Sequence, residues 1–580
     1  MKRRGRAVRR PRWMLAGLLL AVALPVQAAV TVNIKGVEGD IQDNVRSFLS
    51  IAQQDVDTQD AARVRRLHGR AEQEIRKALV PFGYYEPRVR GRLESTEDGW
   101  VATYVIRPGP RVRVTRVDIR FLGAAADDPA FGDLVAELPL KEDQPLRHSD
   151  YDTARQRIME LAAERGYVEA QWRTHTLRID PEKQEAHATL VLDSGPRYRF
   201  GEVTFAQNRL SERFLRRYLR FKPGDPFLAG KLLELRYALD DSDYFRRVDV
   251  RARRDQARDQ RIPVDVDLEP KPKHRYTFGI GYGTDTGGRF SLGRHTRYVN
   301  RSGHTLEAQL QLAEISSRLS ARYTIPLEQP WRERLELDTA ISEEDIGGGI
   351  SRRLGLGARR VTQSGGWQRS FSLQFERSVD TIAGETTDRN LVMPGLGLAR
   401  SRFDDPVYAS RGYRVGIDLN GGTETFGSDV SFLRLHASAR GVHRVWKGGR
   451  VLARGEAGRV WVDNVDDLPL SQRFFAGGDQ SVRGFEYQEL GPRDENGKVV
   501  GGSYLAVASL ELEQLVVGNW GAAVFVDHGN AMNDPSTPLR TSVGVGLRYR
   551  SPVGVFRVDV AQPTEGDETP RLHLSLEVDL

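Results

Sequence analysis

The sequence predicts three α+β repeats followed by a transmembrane antiparallel β-barrel of sixteen strands. Three observations carry this expectation. Residues 29–274 repeat one pattern of strand, amphipathic helices and strands at a period of about 80 residues. From Arg275 onward the helical spacing stops and apolar and polar residues alternate in segments of about 10 residues, the pattern of an outer-membrane barrel. One long connection, Ser471 to Leu505, is rich in Gly and charge yet carries Phe474, Phe475 and Phe485 beside Arg483, a composition suited to folding back and packing.

The N-terminus comes first. Residues 1–28 hold Lys2, Arg3, Arg4, Arg6, Arg9, Arg10 and Arg12 and no acid. The chain's formal charge is +7, so removing these seven leaves 7 − 7 = 0 for the remainder. The basic balance is therefore a targeting feature and gives no reason to expect a nucleic-acid partner. An apolar run from Met14 to Val26 follows the basic region, and Val26-Gln27-Ala28 resembles a cleavage site, so a signal peptide is expected over 1–28. The run is shorter than the ~20 residues that a spanning helix needs. With no second long apolar run, a closed barrel is the remaining way to cross a bilayer, because lipid offers backbone groups no partners.

The repeats are expected at 29–111, 112–197 and 198–274. Each opens on a strand: Val30 to Ile34, Val114 to Ile119, and Phe200 to Phe205. Each then carries a helix with one apolar stripe. Leu67, Ala71, Ile75 and Leu79 mark the first. Tyr151, Ala154, Ile158 and Leu161 mark the second, with Ser149 or Asp150 as its N-cap. Leu232, Leu235 and Leu239 mark the third. Each helix leads into an aromatic corner, at Gly83-Tyr84-Tyr85, Gly166-Tyr167 and Asp243-Tyr244-Phe245. The two glycines suit a left-handed residue after a helix, and the rings suit core anchors.

The barrel is expected over 275–580. Its first strand is placed at 277–285, its eleventh at 450–462, its twelfth at 502–516 and its last at 571–580, with 471–505 folded inward. Alternation turns Glu511 and Glu513 into the lumen on strand twelve, and Phe525 and Asp527 on strand thirteen. A loop tucked inside would bring Arg483 near these acids, and an arginine fork suits a carboxylate. Strand one alternates Gly279, Gly281 and Gly283 with Phe278, Ile280 and Tyr282. Few side chains on one face leave a strand's register weakly fixed. It must meet strand sixteen, where Leu572, Leu574 and Leu576 face outward. The expectation is a weak lateral seam; the plainer alternative is that glycine relieves crowding in the lumen.

Val482-Arg483-Gly484-Phe485 matches the VRGF-type motif of the Omp85 outer-membrane assembly superfamily, which includes BamA and TamA. Its setting, RFFAGGDQSVRG followed by YQELGPRDENG, resembles the TamA type. The resemblance implies that the three repeats are POTRA domains lying in the periplasm below a barrel in the cell outer membrane. It implies that the loop arginine meets an inward acid on each of two strands, the matching motifs here being Val507-Ala508-Ser509-Leu510-Glu511 and Phe525-Val526-Asp527. It further implies insertion or translocation of outer-membrane proteins, notably autotransporters. The implied partners are a TamB-like inner-membrane-anchored periplasmic protein, unfolded outer-membrane clients and outer-membrane lipid. The alternatives are a two-partner secretion transporter of the same superfamily, or a passive porin or adhesin on a periplasmic stalk. One departure is Leu580, where outer-membrane strands typically end in an aromatic.

Enzymatic chemistry is not expected. The chain has no cysteine, which excludes thiol catalysis, thiolate metal sites and disulfides. No G-x-S-x-G elbow, phosphate loop or H-E-x-x-H pattern occurs, and alternation puts His528 on the face opposite Asp527. No cofactor or metal is implied.

Overall fold

The computed structural model describes residues 29–53, 60–97, 99–347, 349–382, 384–552, 554–565 and 569–577. The signal peptide expected over 1–28 and the expectation attached to Leu580 lie outside the described residues. The described part divides into two compact units that part near residue 200, segments 226–229 and 258–261 going with the first.

The first unit contains two modules of one design. In the first, β1 (Ala29–Lys35) is followed by α1 (Gly39–Phe48), α2 (Ser50–Gln53), α3 (Ala61–Leu79), β2 (Arg88–Thr96) and β3 (Gly99–Arg107), with sheet order β1-β3-β2. The second runs β4 (Arg113–Leu122), α4 (Pro129–Glu137), α5 (His148–Glu164), β5 (Gln171–Asp180) and β6 (Glu185–Asp193), with order β4-β6-β5. In each, the opening strand pairs parallel with the closing one, so the helices form the crossover between them.

Helix α3 forms where the stripe predicts it. Asp60 accepts from the Arg63 amide as N-cap, and Val64, Leu67, Ala71, Ile75 and Leu79 bury against Val32, Ile34, Tyr104 and Ile106 of the sheet. The capping expectation for α5 fails: the helix starts at His148, and Arg147 at the N-cap position makes no side-chain cap. Asp150 lies in the first turn instead, where its charge meets the positive end of the helix dipole. Gly83 and Gly166 both take left-handed φ, at 84° and 85°. Tyr167 is buried beneath its corner, its hydroxyl donating to Asp128 at 2.8 Å.

The second unit joins the third module to the barrel. That module is β7 (Arg199–Ala206), α6 (Glu212–Leu215), α7 (Ala229–Asp240), β8 (Phe245–Ala252) and β9 (Arg261–Pro270), with order β7-β9-β8. Its corner does more than anchor a core. Asp243 holds a left-handed φ of 60° without being glycine, and its carboxylate accepts from Lys271 at 2.5 Å and Arg297 at 3.0 Å. The Tyr244 hydroxyl donates to the Gly303 carbonyl, and Tyr298 donates to the Tyr244 carbonyl. Arg217 reaches the Pro326 carbonyl at 2.9 Å. The corner thus fastens the module to the first turns at one end of the barrel.

The barrel strands are β10 (His274–Gly283), β11 (Gly287–Thr296), β12 (Thr305–Ala313), β13 (Ser316–Pro326), β14 (Glu333–Ile346), β15 (Gly349–Ser364), β16 (Trp367–Ile382) and β17 (Glu385–Phe403). They continue as β18 (Arg411–Gly422), β19 (Phe432–Trp446), β20 (Gly449–Trp461), β21 (Tyr504–Val517), β22 (Trp520–Met532), β23 (Arg540–Ser551), β24 (Gly554–Pro563) and β25 (Arg571–Glu577). The sixteen pair in chain order, so the sheet is a nearly closed antiparallel barrel. Apolar side chains such as Leu319, Ile341, Phe371, Leu396, Leu510 and Val545 point outward. At the end fastened to the third module stand the aromatics Trp367, Tyr413, Trp446, Trp520, Tyr549 and Phe556, on strands next to the short turns, the arrangement of an interfacial belt. The long connection falls between β20 and β21, the eleventh and twelfth barrel strands, as expected.

Candidate functional site inside the barrel

The connection from β20 to β21 is a structured plug. Phe474 and Gly502 exchange two backbone hydrogen bonds of 2.8 Å, and Ala476 and Leu490 exchange two of 3.0 and 2.9 Å, so the loop closes on itself as a narrow ladder. Its Phe474, Ala476, Val482, Phe485 and Leu490 bury against luminal Leu391, Met393, Val460, Leu505 and Val507. Burying these rings inside the barrel fixes the loop where its charged residue can act.

That residue is Arg483. Its Nε and Nη2 grip the two Asp527 oxygens at 2.8 and 2.9 Å, and its backbone amide donates to Oδ2 at 3.1 Å. Nη1 donates to Glu511 at 2.7 Å and to Asp559 at 3.1 Å. The guanidinium lies 3.3 Å from the centre of the Phe525 ring, a cation–π contact that closes its remaining face. Arg483 is 4% exposed and Asp527 0%, so this is a desolvated ion cluster in which removing one partner strands the others. The four residues Val482, Arg483, Gly484 and Phe485 each have a place. Val482 and Phe485 are buried, and the Phe485 amide closes a turn on the Val482 carbonyl at 3.1 Å. Gly484 is required by close approach: a Cβ there would meet Ser542 Cβ at 2.5 Å and the Pro563 nitrogen at 3.0 Å.

Sequence reasoning turned Glu511, Glu513, Phe525 and Asp527 inward but missed Asp559, Arg548 and Arg450. Asp559 on β24 is a third carboxylate. Arg548 on β23 is a second cation, donating to Glu511 at 2.6 Å, to Glu513 at 3.0 Å and to Asp559. Arg450 on β20 continues the network to Glu513 at 2.6 Å and stacks on Tyr408. Applying the same alternation to β24 would have found Asp559, because Phe556 and Val560 face outward and put Arg557 and Asp559 inside.

A second missed contact ties the loop to the seam. On β25, His573 Nε2 donates to the Arg483 carbonyl at 2.6 Å, while Nδ1 lies 3.2 Å from Asp285 in the β10–β11 turn. Asp285 in turn accepts the Asp479 amide of the loop at 2.6 Å. Arg571, also on β25, reaches Glu486 of the loop at 2.8 Å. Both barrel edges are therefore held to the plug.

Among the described residues the edges are not joined to each other by a ladder. Fifteen neighbouring strand pairs are hydrogen-bonded in chain order, but no backbone pairing of β10 with β25 occurs among the described residues. The Leu574 amide donates to the Thr284 hydroxyl at 3.3 Å instead. Phe278, Ile280 and Tyr282 project outward from β10, as do Leu572 and Leu576 from β25, with Leu574 half-buried between them. The glycines also serve the plainer purpose. A Cβ at Gly279 would press on Ser291 Oγ and one at Gly281 would meet Arg289 Nε at 2.8 Å, while Gly283 has Thr286 at 3.1 Å. Their absent side chains make room for those of β11 and the following turn. The remaining lumen is polar: a cavity of about 300 Å³ between β12 and β16 is lined by Glu307, Arg318, Asp338, Arg353 and Glu376 among others.

A family model described as the Omp85 superfamily domain matches residues 278–576, more than half of the chain. The chain belongs to the Omp85 superfamily. A model described as POTRA domain TamA domain 1 matches residues 31–108, and one described as surface antigen variable number repeat, a POTRA model, matches 198–271. Outer membrane protein assembly factor BamA of Nitratidesulfovibrio vulgaris is 23% identical over 510 residues, which is 83% of this chain and 63% of that protein. BamA of Neorickettsia risticii is 29% identical over 213 residues, 33% of this chain and 28% of its own. This Omp85 chain thus spans less than two thirds of the length of these relatives. The crystal structure of BamA from Haemophilus ducreyi lacking POTRA domains 1–3 superposes with a TM-score of 0.67 at 17% identity, covering 80% of this chain and 99% of that one. The Omp85 fold, POTRA modules leading into a sixteen-stranded barrel, is shared.

Proposed function

We propose that this Omp85 protein is a non-catalytic insertion and translocation factor of the outer membrane. Its POTRA modules stand in the periplasm and receive unfolded outer-membrane clients, autotransporters among them. The observation that carries this reading is the seam. Among the described residues, edges β10 and β25 present backbone groups that no ladder occupies, and a free edge templates an incoming strand by β-augmentation. The Arg483 cluster keeps the plug and the wall together while the edges part. The match of residues 31–108 to a TamA-type first POTRA model supports a TamA-type role, with a TamB-like periplasm-spanning partner, and the BamA relatives support client assembly.

The test is depletion of the protein in its native host with quantification of the outer-membrane proteome, alongside crosslinking pull-down from the intact envelope. The expected result is loss of a set of barrel proteins and autotransporters, and recovery of a TamB-like partner. An unchanged outer-membrane proteome would refute the assignment. Steady single-channel conductance from the purified barrel would favour a porin.

A further inference from the structure

The outward arginines of the barrel fall into two groups. Away from the end that receives the third module, two have acids of their own, Arg352 meeting Glu343 at 2.6 Å and Arg377 meeting Asp388 at 2.7 Å, while among the described residues Arg459 lies alone against the rings of Trp461 and Tyr504. Nearer that end, Arg360 likewise has Glu333 at 3.3 Å. On β16 and β17 three lie close together: Arg369 just after one turn and Arg400 and Arg402 just before the next point outward, and among the described residues none of them pairs with a carboxylate.

Their outward direction follows from register and alternation. Trp367 pairs with Arg400, Arg369 with Leu398 and Arg402 with Tyr413, while Phe371, Leu373, Leu396 and Ile417 further along the same strands are exposed. The Arg400 guanidinium lies between two rings, 5.5 Å from the centre of Trp367 and 5.9 Å from that of Tyr413. Stacking holds its plane and leaves its N–H edges free for an acceptor. These aromatics belong to the belt that marks the headgroup level of a bilayer. A group facing outward at that depth meets lipid headgroups. Three unpaired cations on adjacent strands, with no acid among them, suit one phosphate carrying net negative charge.

We propose that Arg369, Arg400 and Arg402, framed by Trp367 and Tyr413, form a site for the phosphate of an anionic phospholipid in the leaflet nearest the POTRA modules. That this leaflet is the periplasmic one rests on the proposed function, but the site itself does not. It lies on β16–β18, far around the sheet order from the β10–β25 seam. A lipid held there would fix the depth of the wall that does not open.

The test uses the full-length protein in nanodiscs of equal phosphatidylglycerol and phosphatidylethanolamine, followed by purification in mild detergent and lipid quantification. The wild type should retain phosphatidylglycerol several-fold over phosphatidylethanolamine. Arg400→Gln/Arg402→Gln should abolish that preference, since each basic residue near an anionic bilayer contributes about a factor of five and the two together about twenty-five. Arg400→Lys/Arg402→Lys, which keeps the charge, should retain more than the Gln variant. Arg352→Gln/Arg377→Gln, which removes outward arginines that already have partners, should change nothing. Equal retention of both lipids by the wild type would overturn the proposal without recourse to any variant. So would full displacement by inorganic phosphate, which would indicate a site for free anions. Slower migration on heating, the mark of a folded barrel, confirms that each variant is inserted. A failure of client assembly in cells with normal lipid retention would count against the proposed function alone.

Discussion

Arg483 and Asp527 share three hydrogen bonds, two from the guanidinium fork at 2.8 and 2.9 Å and one from the Arg483 amide at 3.1 Å. Fork and amide together fix the backbone as well as the side chain, so the pair determines where the whole turn Val482–Phe485 sits. Arg483→Ala should leave the barrel inserted but cost about 3–5 kcal/mol locally, because Asp527, Glu511 and Asp559 lose a shared cation in a desolvated site. The readout is new protease sensitivity within 471–505 against unchanged heat-modifiability. Asp527→Asn should act in the same direction, and the double variant should add little to either single one. Strict additivity would show that the two residues do not work as a pair.

Gly484 offers an independent check on the same turn. Its missing side chain faces Ser542 Cβ and Pro563, so Gly484→Ala should destabilise the docked loop by roughly 1–3 kcal/mol through overpacking. Ser542→Gly in the same chain should recover part of that loss by removing the nearer obstacle. Protease protection of the loop measures both. Full protection in Gly484→Ala would mean that the turn is less tightly seated than its geometry requires.

The period of two made half of the luminal cluster legible. It sorts each strand residue to lipid or lumen, and so it placed Glu511 and Asp527 inside. It names no partner across the lumen, however, because which inward charges meet depends on how the plug is folded. The plug has no period: its ladder joins Phe474 to Gly502 and Ala476 to Leu490 across turns set by glycine positions. The contact of His573 with Asp285 was hidden for another reason. These residues sit on the first hairpin turn and the last strand, and only closure of the sheet brings them together. The failed N-cap of α5 shows a local limit. Ser149 and Asp150 both have capping chemistry, but the chain enters the helix two residues earlier, where α5 follows the Leu146 backbone pairing with Val112.

The second α+β module, β4 to β6, carries a pH prediction. Asp128 caps α4 through the Ala130 amide and accepts from Arg165 at 2.7 Å and Tyr167 at 2.8 Å. Burial alone would raise its carboxyl, but these hydrogen bonds outweigh it and hold the group below the ordinary aspartate value. A lowered folded-state value means that the unfolded chain binds the proton more readily. The stabilisation is therefore complete above the unfolded value of about 3.9 and is lost as pH falls through the lowered one. Hydrogen exchange at α4 should accelerate over that acid range in the wild type. In Asp128→Asn the same helix should already exchange faster at neutral pH, with this acid step gone. An unchanged step in the variant would assign it to another carboxylate.

The seam decides whether the free edges act. Gly281→Cys on β10 and Ser575→Cys on β25 both face the lumen, and the native chain has no competing thiol. A disulfide requires Cα atoms within about 7 Å, so spontaneous bonding would establish that the edges approach; a short bifunctional thiol reagent joins them if they stand further apart. Locking the seam should abolish client insertion while leaving fold and membrane placement intact, and reductant should restore activity to the disulfide form. The control joins Ala340 to Gly355, which pair directly between β14 and β15 within the continuous ladder, and should cost nothing. Because His573 ties β25 to the Arg483 carbonyl, a seam that opens must also release this bond or carry the plug with it. His573→Ala should then ease opening and speed crosslinking by a seam-bridging reagent, without disturbing the Arg483–Asp527 fork. Full client insertion with the seam locked would remove the edges from the mechanism and move the active surface to the POTRA modules or to the bilayer beside the barrel.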